Sequence, residues 1–275
     1  MQQSADIAVI IPCYNHTNVL RRTLEALKKQ TIPVKEVIVV DDGSNDHPFE
    51  LVKQAFPEVI DAGTVFHKTG TNGISVTEID PKLFQGEEKK QDISRIVYIR
   101  LEKNSGAPVA RNLGAAISRA SFIIFLDADA ELVPSALETF LQALEDHPEA
   151  EYAYANFRWG NRLFKSRTFD PDFLKQANYI HTSSLIRRTA FPGFDESLKK
   201  FQDWDVWLTM AKQGKIGVWI DKELYKIEPR KRGKGMSTWL PSFFHHLPWH
   251  IIGWIPKEIK NYRDAEQVIR IKHSL

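Results

Sequence analysis

Residues 122–129 read Phe-Ile-Ile-Phe-Leu-Asp-Ala-Asp, five apolar side chains followed by two acids with one alanine between them. The apolar run has the length of a strand and no polar alternation, so it predicts a strand buried on both faces. Similar runs lie upstream at residues 7–11 (IAVII), 37–40 (VIVV) and 96–101 (IVYIRL). Helical spacing fills the gaps. Leu20, Leu24 and Leu27 follow a capping candidate at Thr17 or Asn18, and Phe49, Val52 and Phe56 give a weaker face. Pro108 opens a helix to 119 with Val109, Leu113 and Ile117 inside, and another helix spans 134–146. This βαβα order predicts an α/β domain with a mostly parallel central sheet and helices on both faces.

The second half is less regular. Strands are predicted at 151–156, 184–187 and 216–220, and a helix at 203–213 closed by Gly214. Residues 57–95 are polar and rich in glycine, and read as an inserted excursion with a hairpin around 69–73. The domain is expected to span 1–228. Residues 229–275 form an extension: a basic loop, an aromatic stretch and a basic helical tail.

Composition narrows the class. With 275 residues the chain can bury one large core. A net charge of +2 gives no general reason to expect a nucleic-acid partner. The single cysteine, Cys13, cannot form an intrachain disulfide and fits a reducing compartment. No signal-peptide pattern opens the chain and no apolar run is long enough for a transmembrane helix, so the expected location is cytoplasmic.

In open α/β sheets, ligands bind beyond the carboxyl ends of the strands. The segments there are Pro12-Cys13-Tyr14-Asn15, Asp41-Asp42-Gly43-Ser44, Asn104-Ser105-Gly106 followed by Arg111, and Asp127-Ala128-Asp129. Asp127 and Asp129, a DXD pattern, can hold Mn²⁺ or Mg²⁺ together with substrate phosphates, or can form an acidic turn. An acid of the Asp41-Asp42 pair can accept from a base N–H or ribose hydroxyl, or can make a turn. Tyr14 can stack on a base or pack. Arg111, near its helix start, can meet an anion or a surface acid. Asp203 and Asp205 flank Trp204 at a helix start, where an acid can be a general base or a cap.

In this order, PCYN, VIVVDDGSND, NSGAPVARNLG, FLDADA and GFDESLKKFQDWDVWL resemble the inverting family 2 glycosyltransferases of the Rossmann-like GT-A fold, over roughly residues 6 to 228. The resemblance implies a nucleotide-diphosphate sugar donor and an acceptor hydroxyl. It implies that Tyr14 stacks on the base, with Pro12 and Asn15 shaping the pocket and Asp42 at the base edge. Asn104, Gly106 and Arg111 line that pocket, and Asp127 touches ribose or metal. Asp129 is then the principal ligand of Mn²⁺ or Mg²⁺, and Asp203 the catalytic base. Gln202 stands where the family has glutamate. A family histidine in a Tyr-Arg-x-His-Pro-like segment has no counterpart in residues 224–237, where Arg230, Lys231, Arg232 and Lys234 form a basic loop. That loop is either a solvated face or a diphosphate clamp.

Other classes are weaker. A dinucleotide-dependent oxidoreductase needs a GxGxxG turn after the first strand, and PCYNHT stands there. A catalytically inactive sugar-nucleotide or glycan binder would lack Asp129 or Asp203, and both are present. The resemblance fits cell-surface polysaccharide or glycolipid synthesis, with a glycan or lipid-linked acceptor. The aromatic stretch 239–255 has two open covers: the domain or a second subunit in a homodimer, or the inner face of a membrane as a peripheral contact with Lys257, Lys260 and Arg263 near headgroups.

Overall fold

The computed structural model describes residues 5–65, 67–69, 75–77, 95–228 and 256–275. Arg230, Lys231, Arg232, Lys234, the charged stretch 87–90 and the aromatic stretch 239–255 lie outside the described residues.

The first half alternates as its apolar runs dictate. β1 (Ala5–Cys13), α1 (Thr17–Lys28), β2 (Val34–Asp41), α2 (Pro48–Ala55) and β3 (Ile60–Val65) come first. A small antiparallel pair follows, β4 (His67–Thr69) with β5 (Ser75–Thr77), matching the expected hairpin. Then come β6 (Arg95–Leu101), α3 (Ala107–Ile117), β7 (Phe122–Phe125), β8 (Ala130–Leu132) and α4 (Ala136–Asp146). The second half adds β9 (Ala150–Trp159), β10 (Arg162–Phe164), α5 (Pro171–Leu174), β11 (Leu185–Arg187), α6 (Gln202–Lys212), β12 (Ile216–Ile227) and α7 (Lys257–His273).

The described strands form one large sheet in the order β3-β6-β2-β1-β7-β11-β9-β12-β8, with β10 on β9. From β3 to β7 every pairing is parallel, with Ile10 opposite Ile38 on one side and Phe125 on the other. β11 is antiparallel to both neighbours, and β8 is antiparallel to β12. Strand β1 shows why the centre carries no polar alternation. Ile7, Val9 and Ile11 belong to one core cluster with Leu20 and Leu24 of α1 and Phe140 of α4, whereas Ala8 and Ile10 belong to the cluster on the other face, with Leu113 of α3 and Met210 of α6. Full burial of each such side chain contributes about 1.5–3 kcal/mol.

Three expectations change. The start of the presumed excursion, β3, is an edge strand of the main sheet, pairing in parallel with β6. Neither Thr17 nor Asn18 caps α1; Asp46 reaches back and accepts from the Thr17 N–H at 2.9 Å. The helical tail is integral to the domain: Ile259 and Ile269 of α7 are buried, and the helix packs on α6.

Candidate active site

The loops after β1 and β2 are stitched together. The Asn15 N–H donates to Ser44 Oγ at 2.9 Å, and Asn15 Oδ1 accepts from the Asn45 N–H at 2.8 Å. Asn15 takes a left-handed backbone (φ 53°), which asparagine tolerates better than most residues. Pro12 is buried in β1, and Tyr14, two residues on, stands 40% exposed at the carboxyl end of the sheet.

The two acids of the β2 loop are braces. Asp41 is fully buried; its Oδ2 accepts from Tyr98 Oη and Arg100 Nη1, each at 2.6 Å, and its Oδ1 from the Ser44 N–H at 2.8 Å. Burial, reinforced by the Asp41 carboxylate, raises the pKa of the Tyr98 phenol. Asp42 is buried too, and its two oxygens accept from the Ser105 and Gly106 N–H groups at 2.6 and 2.8 Å. Gly43 (φ 73°) makes this closure possible, because a Cβ there would lie 2.7 Å from the Lys103 carbonyl carbon. The structure thus gives Asp42 a loop-holding role that the sequence did not reveal, while Asn104 is exposed at the rim.

The β7 loop is held from two sides. Thr23 Oγ1 of α1 donates to the Ala128 carbonyl at 2.8 Å, fixing the Asp-Ala-Asp turn. Arg111, on the first turns of α3 and buried, donates from Nη2 to Asp127 Oδ1 at 2.7 Å. Its Nη1 donates to Gln202 Oε1 at 3.2 Å, and its guanidinium lies 5.3 Å from the Phe194 ring centre. Burial pushes the Asp127 carboxyl up, but the Arg111 charge, aided by His181, outweighs it and leaves the pKa below the usual range. Asp129 is half-buried in the same turn. Among the described residues no three His, Cys, Asp or Glu side chains gather as a protein-only metal cage. Two carboxylates on one turn do fit a hard cation that completes its shell with water and phosphate oxygens.

Gln202 opens α6, so the Arg111 bridge brings the start of that helix to the β7 turn. Asp203 follows. Its Oδ1 accepts from the Trp204 N–H at 2.9 Å and its Oδ2 from Asn178 Nδ2 at 2.8 Å. Asp205, two residues on, is buried against α7, with Lys272 Nζ at 2.9 Å and His273 Nε2 at 2.7 Å. It is committed to holding α7, which leaves Asp203 as the acid beside the turn.

Sequence reasoning missed His181. It lies after α5, packed against both rings of the stacked Phe157–Tyr225 pair, at 4.6 and 5.4 Å between ring centres. Burial lowers its pKa and prevails over the opposite pull of Asp127 and Asp203. Its Nδ1 accepts from the Ser183 N–H at 3.1 Å, so the neutral ring carries its proton on Nε2. His181 is therefore a hydrogen-bond donor here, and metal ligation through Nε2 would cost the Ser183 bond. The Tyr225 phenol is held well above its usual pKa by burial, and further by Asp127 and Asp203. Asp127, His181, Asp203 and Tyr225 thus share one electrostatic environment.

The family model of glycosyl transferase family 2 matches residues 8–75 and 85–194. An uncharacterized glycosyltransferase of Haemophilus influenzae is 27% identical over 221 residues, covering 75% of this chain and 62% of its own. The chain therefore spans less than two thirds of that relative's length. Among solved structures, Staphylococcus aureus TarS in complex with UDP is 19% identical, with a TM-score of 0.58 over 83% of this chain and 61% of its own. The mannosyltransferase PcManGT from Pyrobaculum calidifontis, in complex with GDP-Man and Mn²⁺, is 16% identical, with a TM-score of 0.58 over 98% of this chain and 71% of its own. At these identities the structural likeness carries the GT-A fold alone. The family match extends from β1 through the β7 turn to Phe194, beside Arg111, and the chain belongs to glycosyl transferase family 2.

Proposed function

We propose that this glycosyltransferase moves a sugar from a nucleoside diphosphate sugar to an acceptor hydroxyl with inversion at the anomeric carbon. One observation carries the reading: Arg111 joins Asp127 to Gln202 and so links the Asp-Ala-Asp turn to the start of α6, where Asp203 follows. Tyr14 would stack on the base, with Pro12, Asn15, Asn104 and Gly106 as walls and Asp42 holding the loop that closes them. Asp129 and Asp127 would hold Mn²⁺ or Mg²⁺, which when bound would offset the negative charge developing on the diphosphate. The Mn²⁺ and GDP-Man in the Pyrobaculum structure support that assignment for the fold.

In this reading Asp203 takes the acceptor proton as the hydroxyl oxygen bonds to the anomeric carbon. The bond from that carbon to the diphosphate breaks on the opposite face, and the electron pair leaves with the nucleoside diphosphate. Gln202 in place of a glutamate keeps the acceptor oxygen that Arg111 needs and removes one negative charge. Arg230, Arg232 and Lys234 are proposed to close on the diphosphate, and the acceptor to be a glycan or lipid-linked sugar of a cell-surface polysaccharide or glycolipid. No described helix is long and apolar enough to cross a membrane.

Thermal denaturation with UDP-glucose, UDP-N-acetylglucosamine and GDP-mannose, each with Mn²⁺, Mg²⁺ or chelator, tests the donor class. A true donor at a hundred times its Kd stabilises the fold by about 2.7 kcal/mol through mass action. Equal midpoints with nucleotide sugars and with free sugars would remove the reading.

A further inference from the structure

We infer that Asn178 is the positioning residue of the Asp203 carboxylate, an inference that rests on the reading of Asp203 as base. The segment after α5 is pinned to α6 at both ends by indole N–H groups. Trp204 Nε1 donates to the Leu174 carbonyl at 2.7 Å, and Trp207 Nε1 to the Ile180 carbonyl at 2.8 Å. Asn178 lies between these pins. Its Oδ1 accepts from the Ile180 N–H at 3.3 Å, which settles which amide atom faces which way, and Nδ2 points at Asp203 Oδ2, 2.8 Å away.

The consequence for a base is orientation. Each Asp203 oxygen accepts one donor, Trp204 N–H on Oδ1 and Asn178 Nδ2 on Oδ2, so rotation of the carboxylate plane is stopped at both ends. A carboxylate offers about four acceptor sites, so oxygen capacity is left for an incoming hydroxyl. Proton abstraction needs the base within hydrogen-bond reach of that hydroxyl, and small misplacements are costly. The Trp204 N–H belongs to the helix backbone. Asn178 is the side-chain donor, and it comes from a segment 25 residues away.

The test uses the full chain and water as acceptor, following nucleoside diphosphate release from UDP-glucose, UDP-N-acetylglucosamine and GDP-mannose. Asn178→Ala and Asn178→Asp are compared with Asp203→Asn and with the Asp203→Asn/Asn178→Ala double variant. Asn178→Asp keeps the size and the acceptor for Ile180 but turns the donor into a second carboxylate against Asp203 Oδ2, so it disturbs the base directly. Asn178→Ala removes the donor without adding charge and should turn over normally if the role is purely structural. We expect both single Asn178 variants to lose kcat about 10- to 100-fold with donor KM within twofold, and the double variant to be no slower than Asp203→Asn. In crystals of Asn178→Ala, residues 174–184 should stay in place while the Asp203 carboxylate leaves its single orientation. An inactive Asp203→Asn with Asn178 variants within twofold of the parent, a further drop in the double variant, or an unmoved carboxylate would overturn this inference alone. Full turnover in Asp203→Asn would instead overturn the base reading.

Discussion

The end of β2 with the loop that follows it and the first turn of α6 each carry two acids, and both lie at the carboxyl edge of the parallel strands. They use those acids differently. In the β2 loop, Asp41 and Asp42 each hold both oxygens against donors of the protein itself, and the nearby exposed aromatic is Tyr14. In α6 the two acids divide the work. Asp205 is buried against Lys272 and His273, while Asp203, half-buried, accepts from two neutral donors among the described residues. Burial with cationic partners marks a carboxylate that holds structure; partial exposure with neutral donors marks one able to take a proton.

The sharpest break of this contrast is Asp203→Asn. It should lower turnover about 10²- to 10⁴-fold, the usual contribution of a general base, with donor KM nearly unchanged. Steady-state kinetics with the fastest donor decides it. Next is Gly43→Ala, which attacks the β2 loop. The new Cβ meets backbone at 2.7 Å and must adopt a positive φ, so a loss of roughly 2–5 kcal/mol is expected. Urea denaturation measures it, and stability within 1 kcal/mol of the parent would mean the loop closes differently.

Asp205→Asn probes the other half of the α6 pair. It leaves Lys272 and His273 without their shared carboxylate. Because Lys272 is partly exposed, water screens part of the loss, and about 1–3 kcal/mol is expected. Turnover at a temperature well below the midpoint should fall less than tenfold. A collapse like that of Asp203→Asn would make Asp205 the base.

How much of this was legible follows from the range of the interactions. The four central strands were readable because each carries an apolar run of at least four residues buried on both faces, a local signal. β3 was not, since most of its side chains are exposed and its place is set by main-chain pairing with β6. The Asp-Ala-Asp turn and Arg111 were found by type and position. The bridge that Arg111 makes from Asp127 to Gln202 was not, because its second arm spans 91 residues. Asn178 and His181 sit in a loop with no hydrophobic period, and their roles come from α6, β9 and β12. Nothing near them in sequence marks them as special.

His181 gives the smallest and most discriminating effect. Its pKa in the folded protein is lowered by burial, from an ordinary value near 6.5. Between the two values the unfolded chain binds more protons than the folded one. Stability therefore falls as pH drops below about 6.5, with a slope of at most ~1.4 kcal/mol per pH unit. His181→Asn keeps an acceptor for the Ser183 N–H and cannot titrate. Subtracting its stability from that of the parent cancels the other histidines, His273 with its Asp205 partner included. The parent should lose ground to the variant as pH falls from about 7 to about 5, in urea midpoints taken at constant salt. A flat difference would mean that His181 protonates equally in both states and is open to water. A difference of opposite sign would mean that Asp127 and Asp203 prevail over burial and hold it charged. The ring would then donate from both nitrogens, the Ser183 contact would have to break, and the second half of the site would carry a cation where the structure places a neutral donor.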